Sequence, residues 1–519
     1  MLEHPVSPWR DISVGEELST APSFEELETP PALDHTQAPY FDALRRYAAR
    51  NPGRYHVPGH KGGAGTDPHF LEVAAGALEL DIPLIINGID VGPGPTPLER
   101  ALAMAADAWG AKQTWFLSNG ATQGNHGACL ALATMGKEVI VQRNVHASTI
   151  DGLVLSGLQP TFVAPELNAE LGIAHCLSPE ALDLTLADLP GAVAAIVVSP
   201  TYYGAVADIR GLAKAAHGWG VPLLVDEAWG PHFPFHEALP EHALSAGADL
   251  VLSGTHKLVG SLTQSAMLHL GHDSLLDETV LERALTIVRS TSPSSLLLAS
   301  LDAARRHAMV NGHHLLDDAI REVGAARSAI QALPGLDVLD DRLVHQDGVY
   351  DYDPLRLAID VRATGVTGYE LSALLHERSD INLELSGENM LVAVFGMGEP
   401  IRDSADRLID ALSDAVAHVS ATPRQSRRRV PPPPRWGELA TTPREAFLGA
   451  QEQVPVEAAV DRVAAESLAA YPPGIPNVLP GERLTAATLD YVIRHVGCGG
   501  TVRGAGDPTM RTIRVVVEH

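Results

Sequence analysis

Ser253-Gly254-Thr255-His256-Lys257-Leu258 follows the apolar run Ala248 to Leu252, and this junction decides the fold. The apolar run reads as a buried strand. The polar residues after it then sit at the mouth of that strand, with a histidine directly before the lysine. A lysine on a crowded, partly buried loop can lose its proton and attack a carbonyl, so a Schiff base between Lys257 and a cofactor aldehyde is open to it. By itself, Ser/Thr-His-Lys also suits an ordinary surface loop. The segments upstream decide between the two.

Thirty-one residues earlier, Val221-Pro-Leu-Leu-Val-Asp226-Glu227-Ala228-Trp229-Gly230 is an apolar strand that ends in an aspartate. A carboxylate at the C-terminal end of a parallel strand points into the crevice where α/β sheets bind ligands. Trp115-Phe-Leu-Ser-Asn119-Gly120-Ala121-Thr122-Gln123-Gly124-Asn125 reads as a strand, a polar turn and a helix, the arrangement that cradles phosphate on helix N-terminal amides. A phosphate cup, an acid and a lysine thus stand at successive strand ends. Pyridoxal phosphate needs those three parts: an anchor for its phosphate, a carboxylate at its ring nitrogen and an amine for its aldehyde.

The surrounding pattern agrees. Strand-like runs fall at Thr114–Leu117, Glu138–Gln142, Gln159–Val163, Ala194–Ser199, Pro222–Asp226, Leu250–Ser253 and Ser265–Leu270. Helical stretches fall between many of them: Asn125–Met135, Ser148–Ser156, Ser178–Leu189 and Ile209–Gly218. This alternation predicts an α/β fold with a mainly parallel, seven-stranded sheet. A rigid loop, Val91-Gly-Pro-Gly-Pro-Thr-Pro97, is expected to cap a helix over Leu98–Trp109 through Thr96. Another helix is expected over Pro39–Asn51.

Eight segments in one order carry a family resemblance: Tyr55-His-Val-Pro-Gly-His-Lys-Gly-Gly63, the Asn119-Gly-Ala-Thr122 turn, Arg143-Asn-Val-His146-Ala-Ser148, Ser199-Pro-Thr-Tyr-Tyr-Gly204, Asp226-Glu-Ala-Trp229, Thr255-His-Lys257, Ser290-Thr-Ser-Pro-Ser294 and Tyr471-Pro-Pro-Gly-Ile-Pro476. Together they resemble the ornithine/lysine/arginine decarboxylases, which are fold-type-I pyridoxal-phosphate enzymes, over about Pro39 to Asp507. The resemblance implies pyridoxal 5'-phosphate as cofactor. Gly120, Ala121 and Thr122 would hold its phosphate, with Ser253 and Thr255 on the far side. Many members have Ser/Thr where this chain has Ala121, so backbone alone serves there. His146 would lie flat on the ring, Asp226 would pair with the ring nitrogen, and Trp229 and Thr201 would reach the ring hydroxyl. Lys257 would hold the aldehyde, and His256 would donate a proton or orient the loop. Lys257, His146, Asp226 and His256 are the expected catalytic residues. The loop Tyr55–Gly63 would lie near the site. Ser292, in the Ser/Thr-rich turn before a helix over Leu296–Val310, would touch the partner subunit's phosphate. That implies a homodimer with active sites at the subunit interface, open to larger assemblies.

Composition bounds the alternatives. The chain has 519 residues, 45% hydrophobic and 5% aromatic, with a formal charge of −27. That is a globular composition long enough for several domains. The negative charge disfavours nucleic acid and anionic membranes as partners. Cys129, Cys176 and Cys498 form no CxxC pair, so neither a disulfide framework nor a zinc site is expected, and a cytoplasmic setting fits. No signal pattern and no spanning helix are expected.

The expected domains are an N-terminal arm over 1–37, a cofactor-binding large domain over 38–310, an α+β small domain over 311–420, a Pro/Arg-rich linker over 421–440 and a C-terminal domain over 441–519. Within the small domain, strands are expected at Val338–Gln346, Arg356–Val361 and Leu391–Phe395, and helices at Gly368–Arg378 and Ile401–Val419. The arm leaves no room for the receiver-like domain of larger family members, so the resemblance is to the shorter form. The function expected first is decarboxylation of lysine, ornithine or arginine to a diamine or agmatine, the starting amines of polyamine biosynthesis. Another pyridoxal reaction, an aminotransferase or oxidase-like one, stands beside it. Arg356 and Arg362 are available to hold an α-carboxylate in that case, though no motif fixes either. A catalytically silent binding protein is disfavoured by the intact Lys257, Asp226 and phosphate turn. Glu457, Glu466 and Glu482 are possible partners for a cationic side chain, while Glu384 and Glu388 read as solvated.

Overall fold

The computed structural model describes residues 33–421, 433–471, 476–497 and 500–518. Most of the N-terminal arm, the triplet Arg427–Arg429, Pro472 to Ile475 of the Tyr471 motif, and Cys498 lie outside the described residues.

Seven strands form the central sheet: β1 (Gln113–Leu117), β2 (Glu138–Gln142), β3 (Gln159–Val163), β4 (Ala195–Val198), β5 (Leu223–Asp226), β6 (Leu250–Ser253) and β7 (Ala266–Leu270). Their order is β1-β7-β6-β5-β4-β2-β3. β6, β5, β4, β2 and β3 pair in parallel. β7 runs antiparallel between β6 and β1. The inner strands carry near-continuous apolar runs because helices cover both faces. β5, Leu-Leu-Val-Asp, is buried along its whole length.

The helices mostly lie where the sequence places them. α1 (Pro39–Ala49), α2 (Pro68–Leu80) and α3 (Pro97–Ala108) precede the sheet. Thr96 caps α3 through a reciprocal bond with Glu99, a full capping box. α4 spans Gly120–Leu132, so it begins five residues before the expected Asn125 and includes the phosphate turn itself. α5 (Ala147–Ser156) packs on α4 through a glycine: a Cβ on Gly152 would lie 2.7 Å from Cys129 Sγ. Thr255–Leu258 is one helical turn, α8, not an open loop; α6 (Pro179–Asp188) and α7 (Ile209–Gly218) precede it. After α9 (Glu278–Val288), the helix expected to stop at Val310 continues as α10 over Ser295–Gln331, with apolar residues such as Leu316, Val323 and Ile330 buried along it.

Beyond α10 an antiparallel sheet joins Asp337–Val338, Arg356–Asp360, Met390–Val394 and Leu385–Ser386. The expected strand over Val338–Gln346 is not formed. Only Asp337–Val338 pairs, and Asp341–Leu343 is a 3-10 turn. Asp340 is the reason: its carboxylate accepts from Arg342 N–H, and a local side-chain acceptor diverts backbone from the ladder. α11 (Gly368–Ser379) and α12 (Ile401–Ala421) cover this sheet. The last segment has its own core of Val456, Leu468, Val478, Leu489 and Ile513.

Candidate active site

Parallel strands align their C-terminal ends on one edge, so the residues leaving β2, β4, β5 and β6 meet there. Asp226 pairs with Val198 of β4 on one side and Leu252 of β6 on the other. The crevice is built from these exits and the N-terminus of α4.

Asp226 is buried and held from two sides: Ala228 N–H donates to Oδ1 and Asn125 Nδ2 donates to Oδ2, both at 3.1 Å. Asn125 gives its other amide proton to Ser148 Oγ at 3.0 Å. Ser148 in turn donates to His146 Nδ1 through both Oγ (2.8 Å) and N–H (3.2 Å). Since Nδ1 accepts, the neutral imidazole carries its proton on Nε2. One relay therefore ties Asp226 to His146. His146 remains exposed to the crevice, at the N-cap of α5. Desolvation by its surroundings and the charges of Lys257 and Arg503 push its pKa down, against Asp226 and Asp151.

Lys257 enters from α8. Its Nζ lies 4.1 Å from the centroid of the Trp229 ring. Desolvation lowers its pKa to about 8, with Arg356 adding to the effect and Asp226 and Glu384 opposing it. The amine is therefore poised for use as a nucleophile near neutral pH. Beside it, His256 Nδ1 donates to the Ser265 carbonyl at 2.7 Å, so Nε2 is the atom left to accept a proton. Desolvation holds the His256 pKa below its ordinary value.

The anion-binding end is less simple than the motif suggests. Gly120 takes φ +70°, and its N–H is occupied by the Gln264 carbonyl at 2.7 Å. The helix amides that follow, on Ala121 and Thr122, have no intrahelical acceptor. Ser253 and Thr255 are wholly buried, and neither hydroxyl has a hydrogen-bond partner. Trp229 Nε1 is buried and unpaired as well. Buried polar atoms without partners mark a place where a polar ligand belongs, so these residues fit a phosphorylated cofactor. Thr201 Oγ1 accepts from Ala205 N–H at 3.2 Å, leaving its hydroxyl proton to donate.

The other candidates have partners of their own or lie exposed. Ser292 is exposed and hydrogen-bonds to Ser290. In the Tyr55–Gly63 loop, Tyr55 is exposed, His56 bonds to Tyr47 of α1 and His60 to Asp81. Arg362 is paired with Asp360 at 2.8 Å. Glu482 is locked to Arg143, Glu466 accepts from Gly506 and Arg514 N–H, and Glu457 is exposed.

One contributor, Asn125, escaped sequence reasoning, and two more, Arg356 and Glu384, were read there for other roles. Asn125 left only a weak signal, a polar residue on the sheet-facing side of a helix. Arg356 is buried and reaches Trp229. Glu384 is exposed, yet its charge acts on both Lys257 and His256.

Profiles for the "Orn/Lys/Arg decarboxylase" major domain and C-terminal domain match residues 38–403 and 436–496. The arginine decarboxylase of Bacillus subtilis (strain 168) is 35% identical over 491 residues, covering 94% of this chain and 99% of its own. That of Halalkalibacterium halodurans is 38% identical, covering 93% and 98%. The fold resembles that of the Francisella novicida lysine decarboxylase, with a TM-score of 0.77 at 20% identity over 92% of this chain and 81% of the other.

Proposed function

The chain belongs to the Orn/Lys/Arg decarboxylase family, and from that premise we propose how its residues run the reaction. It is an amino-acid decarboxylase for a basic amino acid. We assign arginine as substrate and agmatine as product, because the two sequence relatives above are named arginine decarboxylases. The carrying observation is that Asp226 and Lys257 leave neighbouring parallel strands on one edge, with Lys257 held near pKa 8.

Pyridoxal 5'-phosphate, when bound, supplies the electron sink that takes up the pair left as carbon dioxide departs. Ala121 and Thr122 amides and the Thr122, Ser253 and Thr255 hydroxyls bind its phosphate. Lys257 Nζ would hold its aldehyde, and Asp226 would keep the proton on its ring nitrogen. His146, fixed in orientation through Ser148 and Asn125, would pack against its ring. Thr201 and Trp229 Nε1 would be donors for its ring hydroxyl. His256 Nε2 takes up and returns the proton that replaces the carboxylate. Glu384 offers negative charge to the cationic substrate side chain. Ser292 serves the partner's site in a homodimer, and the enzyme works in the cytoplasm. The domain division at residues 310 and 420 belongs to the same proposal.

Incubation with arginine, lysine and ornithine in the presence of the cofactor tests this. Carbon dioxide release with agmatine formation from arginine supports it. Keto-acid formation that depends on an amino acceptor would replace it with transamination.

A further inference from the structure

Arg356 opens the second strand of the small sheet, yet its side chain leaves that sheet. It is about 1% exposed, and its guanidinium lies 4.5 Å from the centroid of the Trp229 ring. Nη2 donates to the Trp229 carbonyl at 3.3 Å and to Asp353 Oδ2 at 3.2 Å. Nε and Nη1 have no partner. A guanidinium over an indole face is held there by cation–π attraction. The Arg356 carbonyl is itself held by Arg327 and the Tyr352 hydroxyl, which fixes the base of the side chain. The same indole carries Lys257 Nζ at 4.1 Å.

We propose that Arg356 is a positioning residue: it pins the Trp229 ring and carbonyl so that the indole holds the Lys257 amine in place for the cofactor aldehyde. This rests on the role given to Lys257 above. Arg356 contacts both the ring and the carbonyl of Trp229, so the small sheet acts on the site through one tryptophan. The charged groups acting on Lys257 are Asp226, Glu384 and Arg356, with His146 and His256 nearby. Of these, Arg356 alone is a permanent cation.

The test labels lysines in the cofactor-free, full-length enzyme with an amine-reactive reagent across pH and quantifies Lys257 by mass spectrometry. It also times cofactor association by absorbance. Arg356→Met is expected to move the labelling midpoint of Lys257 upward by about one pH unit, since a like charge nearby is removed. It should slow cofactor association about tenfold. Arg356→Lys keeps the charge beside Asp353 and serves if the Met variant does not fold. It should keep the midpoint but still slow association, because an ammonium does not stack as a guanidinium does. A folded variant that associates at the wild-type rate overturns the proposal. So does a raised KM for the amino acid with labelling and association unchanged, which would make Arg356 a carboxylate holder. Borohydride reduction of the wild-type holoenzyme is the separate check: if Lys257 is not labelled there, the role of Lys257 fails, whatever Arg356 does.

Discussion

At position 257 an amine that titrates near 10.4 in a free chain is held at about 8. Such a depressed lysine penalises the folded state wherever the ammonium form dominates. Below pH 8 the penalty is fully present, and it fades as pH rises toward the unfolded value. The cofactor-free enzyme should therefore gain stability between pH 8 and about 10.4. Lys257→Met should be more stable than wild type at pH 7 and should lack that contribution, as thermal unfolding at stepped pH will show. An unchanged pH slope in Lys257→Met would contradict it. Asp226→Ala removes the acceptor of Asn125 and Ala228, and with it the carboxylate proposed for the ring nitrogen. Turnover should fall on the order of a thousandfold, the scale of losing one preorganised electrostatic partner, and cofactor affinity should fall with it. A near-normal rate would refute the role. Lys257 and Asp226 were legible in the sequence because the chemistry demands those side chains at strand ends. Asn125 was not, and Arg356 was read only as an available carboxylate holder: their partners Asp226 and Trp229 lie 101 and 127 residues away, and no local spacing records such contacts.

Among the elements, strands β2, β3 and β6 and helix α7 match the sequence reading to the residue, because apolar runs bounded by polar turns leave little freedom. The misreadings arise where local polar chemistry or packing overrides pattern. Asp340 breaks a run that reads as a strand, and burial of one apolar face carries α10 well past Val310. The start of α4 was misplaced because Gly120, a poor helix former, takes the left-handed φ of the turn and still opens the helix. Glycine has a second use on the neighbouring helix. A Cβ on Gly152 would meet Cys129 Sγ at 2.7 Å and the Asn125 carbonyl at 3.2 Å. Gly152→Ala should cost about 1–3 kcal/mol from overpacking. Because the displaced backbone belongs to Asn125, it should also weaken the cofactor. Gly218, whose Cβ site is open, is the control, and Gly218→Ala should leave cofactor affinity unchanged. Denaturant unfolding and cofactor titration of the two variants test this; equal affinities would mean that α5 does not support Asp226 through Asn125.

For the whole molecule, a buried ion pair is among the contacts that tie the C-terminal segment to the central sheet. Arg143, the residue after β2, is paired with Glu482 through Nη1 at 2.5 Å and Nη2 at 3.0 Å. The guanidinium is stacked between Phe162 and Trp436, 5.1 and 4.9 Å from their ring centroids. Both side chains are nearly inaccessible, at 3% and 2%. Burial pushes the Glu482 carboxyl above the usual carboxylate range and the Arg143 pKa below its own, each against the pull of its partner. Desolvation thus exceeds the pairing gain for both groups, and the pair contributes geometry more than net stability. That predicts an asymmetric response. Glu482→Gln leaves a buried guanidinium without its counter-charge and should cost about 3–5 kcal/mol, whereas Arg143→Met combined with Glu482→Leu should recover much of that loss. Denaturant unfolding of Arg143→Met, Glu482→Leu and their double closes the cycle, with Glu482→Gln measured beside it. The geometry matters because Arg143 stands three residues before His146, and Arg503, on the same C-terminal segment as Glu482, already acts on the His146 imidazole. The apolar double variant should therefore fold but stack His146 less well, seen as weaker cofactor binding at near-normal stability. If stability and cofactor binding return together in the double variant, simple packing at this junction suffices and the directional ion pair has no part in holding His146.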